Sequence, residues 1–429
     1  MLVGSLRNKI VSKNKNKEEI MREFFALPKQ IQLRELIQFV NITLGSSVYP
    51  FMAMYYTNYY GAFWTGVMMM ITSIAGFVGT LYGGHLSDAL GRKKVINYGS
   101  IGTSIGWFLT IIANVPNHVT PWLTFVGILI ENISYNFLRP AYDAMLIDMT
   151  NESNRRFVYT ISYWFINVAV MLGAGISGLF YDKYFFELLI GLFVANSICF
   201  VITYLYFEET LPDDIEFEHG LGILDTFKNY GEVLTDKIFV FYAIGTTLFA
   251  SAWLQMDNYV PVHLKLTFKP FAILGATITG SKMLSIMIFT NTIIIVLFMT
   301  LVNRWTKKWK LLNQITIGSI LYAGGILLSF TFEQFDLLIL TVIIFTIGEM
   351  INVPASQVLR ADMMDENKIG SYSGFIAMSQ PLGSILASSL VSLSHFTGLI
   401  GVQVAFGLIA IGGLIFVAYS AHQKLQQLS

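Results

Sequence analysis

The sequence predicts an all-α membrane protein, with twelve transmembrane helices arranged as two pseudo-symmetric six-helix bundles. Three observations carry that expectation. Hydrophobic residues make up 54% of the 429-residue chain and charged residues 13%, against about 25% charged in an ordinary soluble domain. Mean hydropathy is +0.60. Apolar stretches of roughly 20 residues, the length a helix needs to cross a bilayer core, recur along the chain. Finally, the pattern of the first half returns in the second.

The elements follow in order. Residues 1–33 begin MLVGSLRNKIVSKNKNKEEIMREF, basic and polar, with no apolar run ahead of a cleavage site. They read as a cytoplasmic arm, not a secretory signal. The first bundle, 34–207, holds spans near 34–59, 63–83, 95–114, 122–146, 157–181 and 185–207. The polar stretch EETLPDDIEFEHGLGILDTFKNYGEVLTDK (208–237) reads as a cytoplasmic linker with a short surface helix. The second bundle, 238–419, holds spans near 238–262, 274–302, 312–331, 337–358, 371–394 and 397–419, and residues 420–429 form a tail. An even number of spans puts both termini on one side. With the N-terminus in the cytoplasm, 22 of the 27 basic residues lie on that side, as the positive-inside rule requires. Lys183, Lys265 and Lys269 fall outside, and Arg139 and Lys282 fall within spans. The expected setting is the plasma membrane of a bacterial cell, as a monomer among membrane lipids.

The internal repeat is legible in two places. PAYDAMLIDMTNES (140–153) and PASQVLRADMMDEN (354–367) share a Pro-Ala start and an acid eight residues later, Asp148 and Asp362, each followed by Met. LSDALGRKK (86–94) is echoed by LVNRWTKK (301–308). Parallel six-span repeats around a central cavity describe one large class of secondary transporters.

Other function classes find no support in the residues. A net charge of zero offers no bulk field for nucleic acid. A single cysteine, Cys199, forms neither an internal disulfide nor a cysteine metal cluster. The six histidines show no metal-ligand spacing, so no metal or cofactor is expected. GATITGSK (275–282) lacks the order of a phosphate-binding loop, and neither a nucleophile elbow nor H-E-x-x-H is present. An enzyme is not expected.

The loop GGHLSDALGRKK (83–94) interrupts two apolar runs. Arg92, Lys93 and Lys94 anchor topology, but that role requires neither Asp88 nor the glycines. Gly83 and Gly84 at a span end admit a closely packed helix, and Gly91 suits a tight reversal. Asp88 can face a helix N-terminus or pair with Arg92 across the mouth between the halves. Such a contact would exist only with that mouth closed and would bias a two-state rocking motion. The loop resembles the signature loop of the major facilitator superfamily, G-x-L-x-D-x-x-G-R-K/R. NESNRRFVYTISYW, LQMDNYVPVHL, TIGEM and DENKIGSYSGF resemble the lactococcal multidrug transporters of that superfamily, over a match running from about Phe24 to the tail.

The resemblance implies a fold and a function. The loop residues Gly83, Gly84, Asp88, Gly91, Arg92 and Lys93 become an inter-domain latch that does not touch substrate. Asp257 and Glu349 become cation- and proton-binding acids, and Asp148 a coupling residue. The chain departs from the pattern at Ser162, where the resemblance implies an acid, and at Ser379, where it implies a lysine. Glu131, Arg139 and Asp143 have no counterpart in it. In span five Ala174-Gly175 stands where antiporters often carry Gly-Pro.

The residues themselves point the same way. A charged side chain near the bilayer centre costs roughly 2.5–3.5 kcal/mol, so acids inside spans are functional candidates. Asp257 and Glu349 have no base within four residues on their own helices. Such a carboxyl can exchange protons near neutrality and attract a lipophilic cation; a structural hydrogen-bonding role is the alternative. Asn352 follows Glu349 by about one turn. Asp148 is either a gate residue or a helix-end acid near Arg155 and Arg156. Arg139 and Asp143, at i and i+4, are expected to pair along one helix face; alternatively Arg139 binds an anionic group. Glu131 continues that face, and Lys282 is expected within span eight. Among the aromatics, Tyr135, Trp164 and Trp253 could stack on planar or cationic substrates, though packing explains any one of them. The expected function is proton-coupled export of lipophilic, often cationic small molecules by alternating access. The alternatives are a carrier for a lipid, glycolipid or peptide, and a non-transporting membrane sensor.

Overall fold

The structure, a computed structural model, describes residues 22–151, 153–211, 231, 233–273, 275–364 and 369–428. Most of the expected N-terminal arm and linker, and residues 365–367 of the second repeat motif, lie outside the described residues.

Among the described residues the elements are helices apart from one hairpin. α1 (Lys29–Leu90) is a 62-residue rod that folds back on itself at Gly61 (φ 72, ψ 172), a backbone conformation that glycine adopts without a Cβ penalty. α2 (Arg92–Ala113), α3 (Pro121–Met149), α4 (Arg155–Phe180) and α5 (Phe185–Tyr206) complete the first half. The second half begins with α6 (Lys237–Trp253), one 3-10 turn (Leu254–Met256) and α7 (Tyr259–Thr267). A two-stranded antiparallel hairpin follows, β1 (Phe271–Ile273) and β2 (Ala276–Ile278), with Phe271 opposite Ile278. Then come α8 (Gly280–Thr306), α9 (Leu311–Ser329), α10 (Phe335–Met363), α11 (Ile369–Ala377) and α12 (Ser379–Leu428). α12 breaks at Gly398 (φ 63, ψ −166).

Among the described residues nine helical segments are long and apolar enough to cross a membrane. The first and last of these each bend back once. α3 is outside the nine because Glu131, Asn132, Asn136 and Arg139 dilute its apolar content. Twelve crossings are compatible with this arrangement. Trp64, Trp122, Tyr163 and Trp305 are exposed, and such aromatics are enriched where a membrane protein meets the bilayer interfaces.

Two expectations about spans seven and eight need correction. Span seven is not one continuous helix: it breaks at Leu254–Met256 and resumes at Tyr259. Asp257 therefore occupies the break itself. Span eight starts at Gly280, not 274, because the preceding residues pair as the hairpin. Lys282 consequently sits in the first turn of α8, and its Nζ donates to the Thr277 carbonyl at 2.6 Å.

Packing within the first half depends on small residues. The second arm of α1 runs so close to α3 that a Cβ on Gly83 would collide with the Phe137 carbonyl, and one on Gly79 would lie 2.7 Å from the Ile133 carbonyl. Gly84 differs from the expected close approach, since its nearest neighbour there would be the Pro140 Cβ at 3.8 Å. The two halves meet through Phe51 and Met54 of α1, which share one apolar core with Tyr259, Val260, Met283 and Val391. Overpacking a tight core costs about 1–3 kcal/mol. Gly83→Val is expected to lower the melting temperature in detergent by a corresponding amount, whereas Gly84→Ala leaves it unchanged.

Candidate functional site

A cavity of about 520 Å³ opens between the halves. α1 contributes Tyr49, Tyr56 and Thr72, and α3 contributes Asn132. The second half contributes Trp253, Asp257, Asn291, Tyr322 and Glu349. Asp257 borders it from the end of the 3-10 turn that joins α6 to α7. Its carboxylate is exposed to the cavity and has no hydrogen-bond or ionic partner among the described residues. Glu349, on α10, is half-buried. Its Oε2 accepts from Asn291 Nδ2 at 2.9 Å, and the same amide lies 3.0 Å from the Thr346 hydroxyl. Trp253 and Tyr322 stack at 4.5 Å with planes 9° apart, forming an aromatic wall.

The other sequence-derived residues disperse. Glu131 is 4% exposed and lines a separate, small pocket with Tyr135; the Tyr49 hydroxyl donates to its carboxylate. Asn352 turns toward α9, donating to the Ser319 hydroxyl at 2.8 Å. It lines a second space of about 340 Å³ that Trp253 also borders. Trp164 is 58% exposed and absent from the lining of the central cavity. Lys282 is held at the hairpin and is likewise absent from that lining.

The expected Arg139–Asp143 pair does not form. Asp143 instead accepts from Arg34 of α1 at 3.2 Å. Arg34 also pairs with Glu35 at 2.7 Å, and both side chains are 1% exposed. Its remaining donors reach the Tyr142 carbonyl, and the Ser162 hydroxyl donates to Glu35 Oε2 at 2.8 Å. Spacing along one helix missed a better partner supplied by another. Arg139 is exposed and has no ionic partner among the described residues. It lies two turns along α3 from the cavity-lining Asn132, on the same face.

The GGHLSDALGRKK stretch is helical except at Gly91, where α1 meets α2, and its polar partners come from the first half and the residues just after α5. Arg92 pairs with Asp88 at 2.7 Å and with Asp148 at 3.3 Å. Asp88 thus meets Arg92 across one turn, not across the mouth between halves. Gly91 takes φ 98, and a Cβ there would collide with the Glu209 carboxylate. That carboxylate accepts from the backbone N–H groups of Arg92 and Lys93 at 2.8 and 3.1 Å, a favourable place for an anion at a helix N-terminus. Thr210 donates to Asp148 at 3.0 Å. Hydrogen bonds between the halves lie elsewhere. Asp182, at the end of α4, accepts from Thr279 and Ser281 at the start of α8. Ser392 donates to the Phe63 carbonyl at 2.9 Å, and Ser73 meets Ser384 at 2.7 Å.

Residues 36–388 match the sequence profile of the Major Facilitator Superfamily. The chain belongs to that superfamily. It is a multi-pass membrane transporter and not an enzyme. The "Na(+), Li(+), K(+)/H(+) antiporter" of Planococcus maritimus is 24% identical over 383 residues, covering 86% of this chain and 90% of the relative. "Multidrug resistance protein MdtH" of Baumannia cicadellinicola subsp. Homalodisca coagulata is 22% identical, covering 80% and 79%. Among solved structures, a POT family transporter in complex with 5-aminolevulinic acid superposes with a TM-score of 0.72 at 14% identity, covering 92% and 96%. That likeness concerns the fold.

Tyr49, Asn291 and Asp182 were not singled out by sequence reasoning. Asn291 had a signal, an amide within the apolar run of α8, and Glu35 had one in its adjacency to Arg34. Removing one member of a buried ion pair costs about 3–5 kcal/mol, whereas replacing both with apolar groups is often near neutral. Arg34→Met is therefore expected to destabilise this facilitator more than the double substitution Arg34→Met with Glu35→Leu, as read by thermal unfolding in detergent.

Proposed function

We propose that this facilitator exports lipophilic, often cationic compounds in exchange for protons, by alternating access. One observation carries the reading: Asp257 and Glu349 border a single aromatic-walled cavity between the halves, and neither has a base beside it. A cation with an apolar body fits such a surface, through charge at the carboxylates and stacking at Trp253 and Tyr322. The same carboxylates accept protons when the cation leaves. The printed names of the two relatives, an antiporter and a multidrug resistance protein, support exchange and support this substrate class. The quoted stretches support the narrower likeness to the lactococcal multidrug transporters.

The proposed setting is a bacterial plasma membrane with both termini cytoplasmic. The bonds between the halves at Asp182 and at Phe63 then fall at the outer end, which supports an inward-facing state. Substrate enters from the cytoplasm or inner leaflet, the halves rock, and protons entering from outside displace it. Each proton crossing ~100 mV contributes about 2.3 kcal/mol beyond the pH gradient. In this state Arg92, Asp88 and Asp148 form an unengaged latch within the first half, and closing the cytoplasmic mouth re-partners them. A second reading, a carrier whose substrate bears an anionic group, is favoured by the unpaired Arg139 on the cavity-side face of α3. It predicts that Arg139→Ala abolishes transport of that substrate and spares cationic dye.

Glu349→Gln tests the main reading. Proton-driven efflux of a cationic dye in everted vesicles is expected to be lost, with the variant inserted at the wild-type level. Undiminished efflux removes Glu349 from the mechanism.

A further inference from the structure

The first half contains a buried carboxyl that the proposed export cycle does not use. Glu131 sits at the crossing of α3, α2 and α1, packed so closely that a Cβ on Gly106 of α2 would lie 2.6 Å from its Cβ. No base reaches it. Arg34, on the neighbouring helix, is committed to Glu35, Asp143 and the Tyr142 carbonyl. The contact recorded for the Glu131 carboxylate is the Tyr49 hydroxyl, on one oxygen. The other oxygen has no hydrogen-bond partner among the described residues.

The pocket at Glu131 is small and rich in oxygen. It measures about 10 Å³, room for one water-sized body. Asn41, Ser100, Thr103, Tyr135 and Asn196 line it together with Glu131. The Ser100 and Thr103 hydroxyls give their protons to the Ile96 and Ser100 carbonyls at 2.8 and 2.9 Å, which leaves oxygen lone pairs as acceptors. Asn41 and the Tyr135 hydroxyl make no hydrogen bond within the protein among the described residues.

We infer that this pocket is a binding site for one bare monovalent inorganic cation of the size of Na+ or Li+, held by Glu131 with Asn41 and Tyr135. The charge fits one positive charge and no more: a single carboxylate stands among neutral oxygens. A divalent ion such as Ca²⁺ takes six to eight oxygens, usually including several carboxylates. No group of three or more acids, histidines or cysteines placed to hold a metal ion occurs among the described residues. Cys199 is the one sulfur in the lining and no imidazole borders it, so the donors are mainly oxygens, which suit hard cations better than transition metals. The pocket adjoins the central cavity. Gly45 lines both this pocket and the central cavity, and Tyr49 lines the central cavity while holding Glu131. Tyr49 therefore stands at the passage between them. The site goes beyond the central-cavity reading and does not depend on it.

The test is equilibrium binding of radioactive sodium to the purified full-length protein in detergent. Wild type is expected to bind one Na+ per chain saturably, with Li+ competing. The double variant Asp257→Asn with Glu349→Gln retains this binding, and Glu131→Gln loses it. Losing a hydrogen-bonding or ligating oxygen to a charged group is worth enough that Asn41→Leu raises the half-saturating concentration about tenfold or more. Should Glu131→Gln fail to fold, Asn41→Leu and Tyr135→Phe carry the test. Three results overturn the inference: no saturable Na+ binding by wild type, as for a carboxyl neutralised by a proton alone; wild-type binding by Glu131→Gln or by both lining variants; or loss of binding in the double variant with retention in Glu131→Gln. Dye efflux by Glu349→Gln is a separate readout, so failure of either idea leaves the other standing.

Discussion

A carboxyl group enclosed by protein within a bilayer must be neutralised, and the ways this chain does so organise the rest of the structure. Glu35 has a guanidinium at 2.7 Å. Asp143 shares that same guanidinium. Glu349 has only an amide, and Glu131 only a phenol. Asp257 has no partner of its own among the described residues. The series divides the acids by purpose. Those with a fixed cation tie α1 to α3 and α4, because removing either partner would strand a charge. Those without one depend on something that arrives from outside the protein, a proton or a cation, and each of them borders a cavity.

The departures at Ser162 and Ser379 become intelligible on the same basis. Ser162 is where the family resemblance implies an acid. Here the hydroxyl donates to Glu35, so a carboxylate still occupies this region, contributed by α1 and already balanced by Arg34. Ser379 is buried and donates to the Ala243 carbonyl at 3.4 Å. A lysine there would have needed a counter-charge that α6 does not offer at that contact. The first half thus keeps an acid in this region and pairs it internally, which shifts the unpaired acids to the second half and to Glu131.

What was legible in the sequence follows from the range of each interaction. Helical spans depend on composition over about 20 residues, so their positions could be read to within a few residues for most of the chain. The break in span seven was marked only by Pro261, which lacks the N–H that would bond the Asp257 carbonyl; Leu254–Met256 itself contains neither Gly nor Pro. The hairpin before α8 was hidden in an apolar stretch whose composition suits a span equally well. Asp257 and Glu349 stood out because a charge in an apolar run is conspicuous. Their shared cavity was not legible, since it depends on how α10 and the α6–α7 break meet α1. Arg139 and Asp143 show the limit most plainly. The i,i+4 rule is worth only about 0.2–0.5 kcal/mol per pair on an exposed helix, and the buried guanidinium of Arg34 outcompetes it from another helix.

The distribution of polar contacts between the halves bears on how such a molecule can move at all. An interface dominated by apolar packing has no preferred broken state, because separating it exposes surface without new partners. Here the polar contacts between the halves are few, at Asp182, at the Phe63 carbonyl and, further along the helices, between Ser73 and Ser384. Asp182 meets two hydroxyls at the start of α8, while Arg92 holds Asp88 and Asp148 at the opposite end of the first half. Asp182, if separated from α8, returns to water at modest cost, and the Arg92 cluster already has its charges satisfied while disengaged. Each end can therefore open without stranding a buried charge. Hydrogen bonds to charged groups are worth about 1.5–3 kcal/mol before solvent competes, and a change of ~1.4 kcal/mol shifts a two-state ratio tenfold. A few such bonds are enough to bias the equilibrium and too few to lock it. A carrier that is to be turned by the binding and release of single charges in its central cavity needs an equilibrium of that kind.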